Sequence, residues 1–172
     1  MVDLPGGERS SVNFMKENLA PNGSLTMKFV AVYAAYLAVG NLIWEVAQLP
    51  LYGIWLEARA YEIAYAVLHC TAGDVLIGLV SFALAAWPVT LVRRKRETDV
   101  VIFGAAIIFG VTYTVFSEWL NVYVRQSWSY SDFMPLLDFR GVSIGLSPIL
   151  QWMILPTLFF AFHYLKVLKQ YR

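Results

Sequence analysis

The chain has 172 residues, of which 59% are hydrophobic and 15% charged, with a mean hydropathy of +0.58 and a net charge of +1. That balance excludes an ordinary soluble domain and points to a small integral membrane protein. With no basic face interleaved with aromatic residues, nucleic acid is excluded as a partner, and a lone Cys70 excludes an intrachain disulfide or a multi-cysteine metal cluster.

Residues 1–27 are polar and lack the charged-then-apolar layout of a cleaved leader, so they read as a tail with some helix over 12–19. Beyond them, four uncharged runs cover residues 29–44, 75–92, 100–117 and 141–163. Each approaches the ~20 apolar residues that cross a bilayer core. Residues 28–172 are therefore predicted to form an all-α, integral membrane four-helix bundle.

In the first span, the pairs Ala31/Ala35 and Ala34/Ala38 offer close approach to another helix. Asn41, Glu45 and Gln48 follow on one stripe, and Leu49-Pro50 ends or kinks the helix. The link over 51–61 carries Tyr52, Trp55 and Tyr61, which suit a headgroup zone. The second span opens with His69, Cys70, Thr71 and Asp74, with Gly73 and Gly78 leaving room beside it. His69 and Asp74 are five residues apart, about 140° around the helix, so they cannot both face one centre.

The third span has the small pair Ala106/Gly110 and ends with Glu118, Asn121 and Arg125 on one stripe, from which Arg125 can reach back to Glu118. Residues 126–146 form the longest link. It is rich in aromatic and apolar side chains, so it is expected to fold over the helix ends as a lid. Ser147-Pro148 reads as N-cap and first residue of the fourth span, followed by Gln151 and Trp152. Pro156 is expected to kink that span and free the carbonyl of Trp152.

Basic residues fix the expected orientation. Of the thirteen, ten lie in the tail, in the 93–96 link or at the C-terminus; only Arg59, Arg125 and Arg140 lie on the opposite side. The positive-inside rule places both termini in the cytoplasm and the protein, as a multi-pass chain, in a cell inner membrane. The intramembrane polar residues then gather near the outer face.

Ionisable groups in hydrocarbon are costly and usually mark a site. Glu45, His69 and Glu118 are the candidate catalytic residues, because a carboxyl or imidazole in a dry cavity suits proton transfer. Asn41, Gln48, Asp74, Asn121, Arg125, Trp128, Tyr130 and Gln151 are the candidate substrate-binding residues. A Zn²⁺- or Fe-type ion held by Glu45, His69, Asp74 and Glu118 is a weaker reading, since no two histidines fall at i, i+4. No particular cofactor is implied.

The leading expectation is an enzyme acting by acid/base chemistry on a lipid or isoprenoid-like substrate. The alternatives are a ligand-binding or assembly subunit that uses the polar cluster to hold a hydrophobic small molecule, a partner helix or a second copy, and a metal-binding or ion- or proton-translocating protein.

The segments N-L-I-W-E-V-A-Q-L-P-L-Y at 41–52, H-C-T-A-G-D at 69–74, S-E-W-L-N-V-Y-V-R-Q-S-W-S-Y-S-D-F-M-P at 117–135 and G-L-S-P-I-L-Q-W at 145–152 resemble a group of small four-span bacterial membrane proteins. The resemblance covers most of residues 28–165, implies the four-span fold and carries no catalytic role. The Arg-bearing pattern of four-span glutathione and eicosanoid enzymes is absent. Emopamil-binding-type sterol isomerases are similar only in gathering Glu, His and Trp in a lipid-facing cavity.

Overall fold

A computed structural model of the chain describes residues 23–90 and 97–170. The expected tail helix at 12–19, the basic link at 93–96 and Arg172 lie outside the described residues. Helix α1 (Gly23–Gln48) begins inside the stretch read as tail and stops where Pro50 enters a single 3₁₀ turn, Leu49–Leu51. A one-turn helix α2 (Ile54–Glu57) leads into α3 (Ala60–Thr90). Helix α4 (Glu97–Trp119) runs on through a π-helical turn at Leu120–Val124, and α5 (Leu146–Gln170) closes the bundle.

Four helical segments, Met27–Leu51, Ala60–Pro88, Val100–Val124 and Leu146–His163, are long and apolar enough to cross a membrane. The distribution of side chains agrees with that. Val32, Ile43, Leu76, Ile108 and Phe162 are exposed, whereas Asn41, Gln48, Glu118 and Gln151 are buried. Such an inversion suits hydrocarbon outside and a hydrogen-bonded interior.

The closest helix pairings run from α1 and from α4 to both α3 and α5, so α1 and α4 stand diagonally. At the end remote from the 126–145 link, the core is aromatic. Phe29, Tyr33, Phe82, Phe103, Phe159 and Phe160 interlock there, with Phe103 stacked on Phe160 at 4.2 Å between centroids.

Glycine provides close helix approach where the Ala31/Ala35 pair of α1 does not, while Ala34 and Ala38 are half-buried. Ala31 and Ala35 are exposed. Trp152 of α5 instead fills a slot between α4 and α3: a Cβ on Gly110 would lie 2.3 Å from its ring, and one on Gly78 would lie 3.4 Å from it.

The 126–146 link has regular structure of its own. It contains an antiparallel hairpin, β1 (Leu136–Phe139) and β2 (Val142–Gly145), with Phe139 paired to Val142. Arg140 and Gly141 turn the corner at φ 50° and 86°, the left-handed pair that a two-residue hairpin turn requires. An Arg-Gly turn is a weaker signal than Asn-Gly, and each strand is only four residues long.

The link is tied to the one between α1 and α3. Tyr52 bridges Tyr130, the Gly53 amide donates to the Ser129 carbonyl, and the Ser131 amide donates to the Leu51 carbonyl, both at 3.0 Å. The Ser131 hydroxyl also donates to the Pro50 carbonyl at 2.8 Å. This staple covers the bundle end that holds the polar side chains.

Candidate functional site

Beneath the staple is a chamber of about 430 Å³, within the range of roughly 300–1,000 Å³ typical of small-molecule sites. Glu45 comes to it from α1, His69, Cys70 and Asp74 from α3, Glu118 from α4 and Gln151 from α5. The sequence pattern gave these residues a common depth; the fold gives them a common wall.

Gln151 is the hub. Its amide nitrogen donates to Asn41 Oδ1 at 2.9 Å, to Asp74 Oδ2 at 3.0 Å and to Glu45 Oε1 at 3.4 Å, so one side chain of α5 joins α1 to α3. The Glu45 and Asp74 carboxyls are themselves within hydrogen-bond reach of each other. Gln48 Nε2 donates to Glu45 Oε1 at 2.8 Å. These contacts follow from the i, i+4, i+7 spacing of Asn41, Glu45 and Gln48, which presents all three to α5.

Ser147 extends the network. The Ser-Pro pair predicts an N-cap, but α5 already starts at Leu146, and the Ser147 hydroxyl is used across the bundle. It donates to Gln48 Oε1 at 2.8 Å and accepts from the Trp44 indole at 3.2 Å. Near Pro156, the cross-helix bond runs from the Tyr36 hydroxyl to the carbonyl of Leu155, not to that of Trp152.

Glu118 forms a second centre. Tyr130 Oη donates to one carboxyl oxygen at 2.7 Å and Tyr52 Oη to the other at 3.4 Å. Burial, and then the adjacent Glu118, hold both phenols well above the ordinary tyrosine range, so they stay protonated and donate. Trp128 also lies beside Glu118, but its indole N–H is buried with no hydrogen-bond partner.

Arg125 does not pair with Glu118. The π-turn carries a bond from the Arg125 amide to the Leu120 carbonyl at 2.8 Å, five residues back. One extra residue in a turn rotates everything after it by about 100°. Arg125 is thereby taken off the Glu118 stripe to an exposed position at the chamber rim. Asn121 stays on the wall and donates to the Ser117 carbonyl at 2.9 Å.

His69 is likewise at the rim. It is exposed, its ring is stacked 5.6 Å from that of Tyr65, and it makes no hydrogen bond to Glu45 or Glu118. The 140° offset decides between the two α3 residues: Asp74 turns inward and His69 outward. Among the described residues no three His, Cys, Asp or Glu side chains are grouped as a metal site needs.

Tyr52 and Ser147 are the site residues that sequence reasoning missed. Tyr52 reads as an interfacial aromatic, and only its bridge to Tyr130 brings it over Glu118. Its place just past Pro50, seven residues after Glu45, is the one local signal.

No protein-family model, curated protein or solved structure matches this chain. Chemically, the geometry offers two carboxyl centres, Glu45 with Asp74 and Glu118 with two phenols, on diagonal helices around a chamber whose remaining walls include Leu49, Ile77, Tyr113 and Trp152.

Proposed function

We propose that this protein is an enzyme of a bacterial inner membrane, with both termini cytoplasmic, that performs acid/base chemistry on a lipid or isoprenoid-like substrate. The observation that carries the reading is the pairing of two separately hydrogen-bonded carboxyl centres with one largely apolar chamber. Glu118, positioned by Tyr130 and Tyr52, is assigned as the proton acceptor. The Glu45–Asp74 pair, holding one proton between two carboxyls, is assigned as the donor. A proton taken at one end of the chamber and returned at the other would shift a double bond or drive an elimination.

Glu118→Gln tests this assignment. Gln keeps the shape, accepts from one phenol through its carbonyl oxygen and can donate to the other phenol oxygen through its amide, but it cannot take up a proton. Overproduction of the wild type is expected to change a lipid or isoprenoid species in total membrane extracts, read by mass spectrometry, and Glu118→Gln is expected not to. The variant should stay folded, within about 1 kcal/mol, the usual size of a hydrogen bond between membrane helices. A profile that both proteins alter equally, or that neither alters, overturns the reading. Either result favours a binding or assembly role for the polar cluster.

The orientation rests on the ten-to-three division of basic residues. In a Cys70→Ser background, an impermeant thiol reagent applied to intact spheroplasts is expected to label Phe133→Cys, on the exposed hairpin link, and to spare Glu97→Cys. Labelling of position 97 instead would reverse the topology.

A further inference from the structure

Residues that line the chamber and are also exposed mark where it opens. On α3 these include Tyr65, 69% exposed, and His69 one turn further on; on α4, Tyr113 is 48% exposed. Gly73 continues the α3 row at the same spacing, and Ser117 and Asn121 continue the α4 row. Two matching stripes therefore flank an opening on the side of the bundle. Both lie within segments long and apolar enough to cross a membrane, Ala60–Pro88 and Val100–Val124. Gly73 is the open point of the seam: a Cβ placed there would meet nothing within 4 Å.

The bundle end is closed differently. The staple through Tyr52, Gly53, Ser129 and Ser131 lies over Glu118, and a broader outer hollow under Glu57, Tyr61 and Glu62 shares Tyr65, Ala66 and Trp128 with the chamber wall. Inside, Glu45, Asp74 and Glu118 face the chamber with no Lys or Arg beyond Arg125 at the rim. Such a lining accepts hydrogen bonds and repels an anion. The buried, unpartnered Trp128 indole adds one donor next to Glu118.

We infer that the α3–α4 seam is a lateral entrance through which a single-chain amphiphile inserts from the bilayer head first, and that its head is a hydrogen-bond donor, a hydroxyl or an ammonium, rather than a phosphate. This rests on the reading of the chamber as a site for a membrane lipid. The head reaches the carboxyls, and the chain trails past Ile77 and Tyr113 toward the hydrocarbon.

The test uses the full chain in nanodiscs and long-chain probes carrying a mid-chain diazirine, as alkanol, alkylamine and alkyl phosphate. The alkanol, the alkylamine or both are expected to photolabel peptides containing Ile77 or Tyr113, and the phosphate is expected not to. Gly73→Leu places its Cβ in open space and extends an apolar side chain into the seam, and Leu is a better helix former than Gly. Its thermal midpoint should be unchanged or raised while labelling falls to the unphotolysed background. Labelling that survives Gly73→Leu, labelling by the phosphate equal to that by the other two, or labels confined to residues 54–62 would overturn the inference. Labelling blocked by Gly73→Leu, together with a Glu118→Gln variant that changes the lipid profile as the wild type does, keeps the entrance and removes the acid/base assignment.

Discussion

Gln151→Leu is expected to be among the most destabilising single substitutions in the bundle. The amide supplies the donor shared by Asn41, Asp74 and Glu45. Glu45 would keep its bond from Gln48. Asn41 is only 2% exposed and its own Nδ2 has no partner, so its side chain would lose every bond it has. A buried polar group stripped of its partner costs about 1–3 kcal/mol, discounted in a membrane because the unfolded helices find other partners. Asn41 is such a group, and Asp74 loses the Gln151 donor while keeping Glu45 within reach, which places the loss at roughly 1–3 kcal/mol.

Gln151→Glu should be at least as damaging despite its matched shape. It replaces the shared donor by a fourth carboxyl facing Glu45 and Asp74. Thermal and denaturant unfolding in detergent measure both variants. A midpoint for Gln151→Leu equivalent to a change under about 0.5 kcal/mol, the usual size of a neutral surface substitution, would show that the hub does not hold α5 to α1 and α3.

The second large effect is steric. Gly110→Ala puts a methyl group 2.3 Å from Trp152 Cε3 and 2.8 Å from Cζ3. The indole cannot swing aside cheaply, because Trp152 is 3% exposed and its other edge lies over Gly78. Overpacking of this kind costs about 1–3 kcal/mol, and a ring held on both sides should lie at the upper end of that range.

Gly104→Ala, on the same helix, is the matched control. Its Cβ would meet nothing within 4 Å, so it should be neutral or gain up to about 1 kcal/mol of helix propensity. Because Trp152 lines the chamber floor, Gly110→Ala should also reduce photolabelling by the alkanol or alkylamine probes. Equal stability of the two alanine variants would mean that the Trp152 slot is not a close contact.

Much of the architecture is legible in the sequence because hydropathy and rise per residue are local properties. The apolar runs lead to four long helices, and Leu49-Pro50 marks the end of α1 within a residue. The same arithmetic puts Asn41, Glu45, Asp74, Glu118 and Gln151 near one end of the bundle, since each lies close to the corresponding end of its run. Spacing also gives the stripe on α1 that meets Gln151.

What sequence spacing cannot supply is the rotation of each helix about its axis and the pairing of the links. His69 and Asp74 lie on different faces of α3, and which one turns inward depends on where Gln151 sits on α5. Arg125 shares a stripe with Glu118 only if the helix stays α-helical, and one π-turn undoes that. Tyr52 reaches Glu118 only because two links, far apart in the chain, bridge at Tyr130. The four long apolar helices and their polar end were set by the sequence itself, through local hydropathy and the rise per residue. The chamber, its hub and its side opening were decided by tertiary structure, because helix facing follows from non-local packing such as Trp152 entering the slot at Gly110 and Gly78.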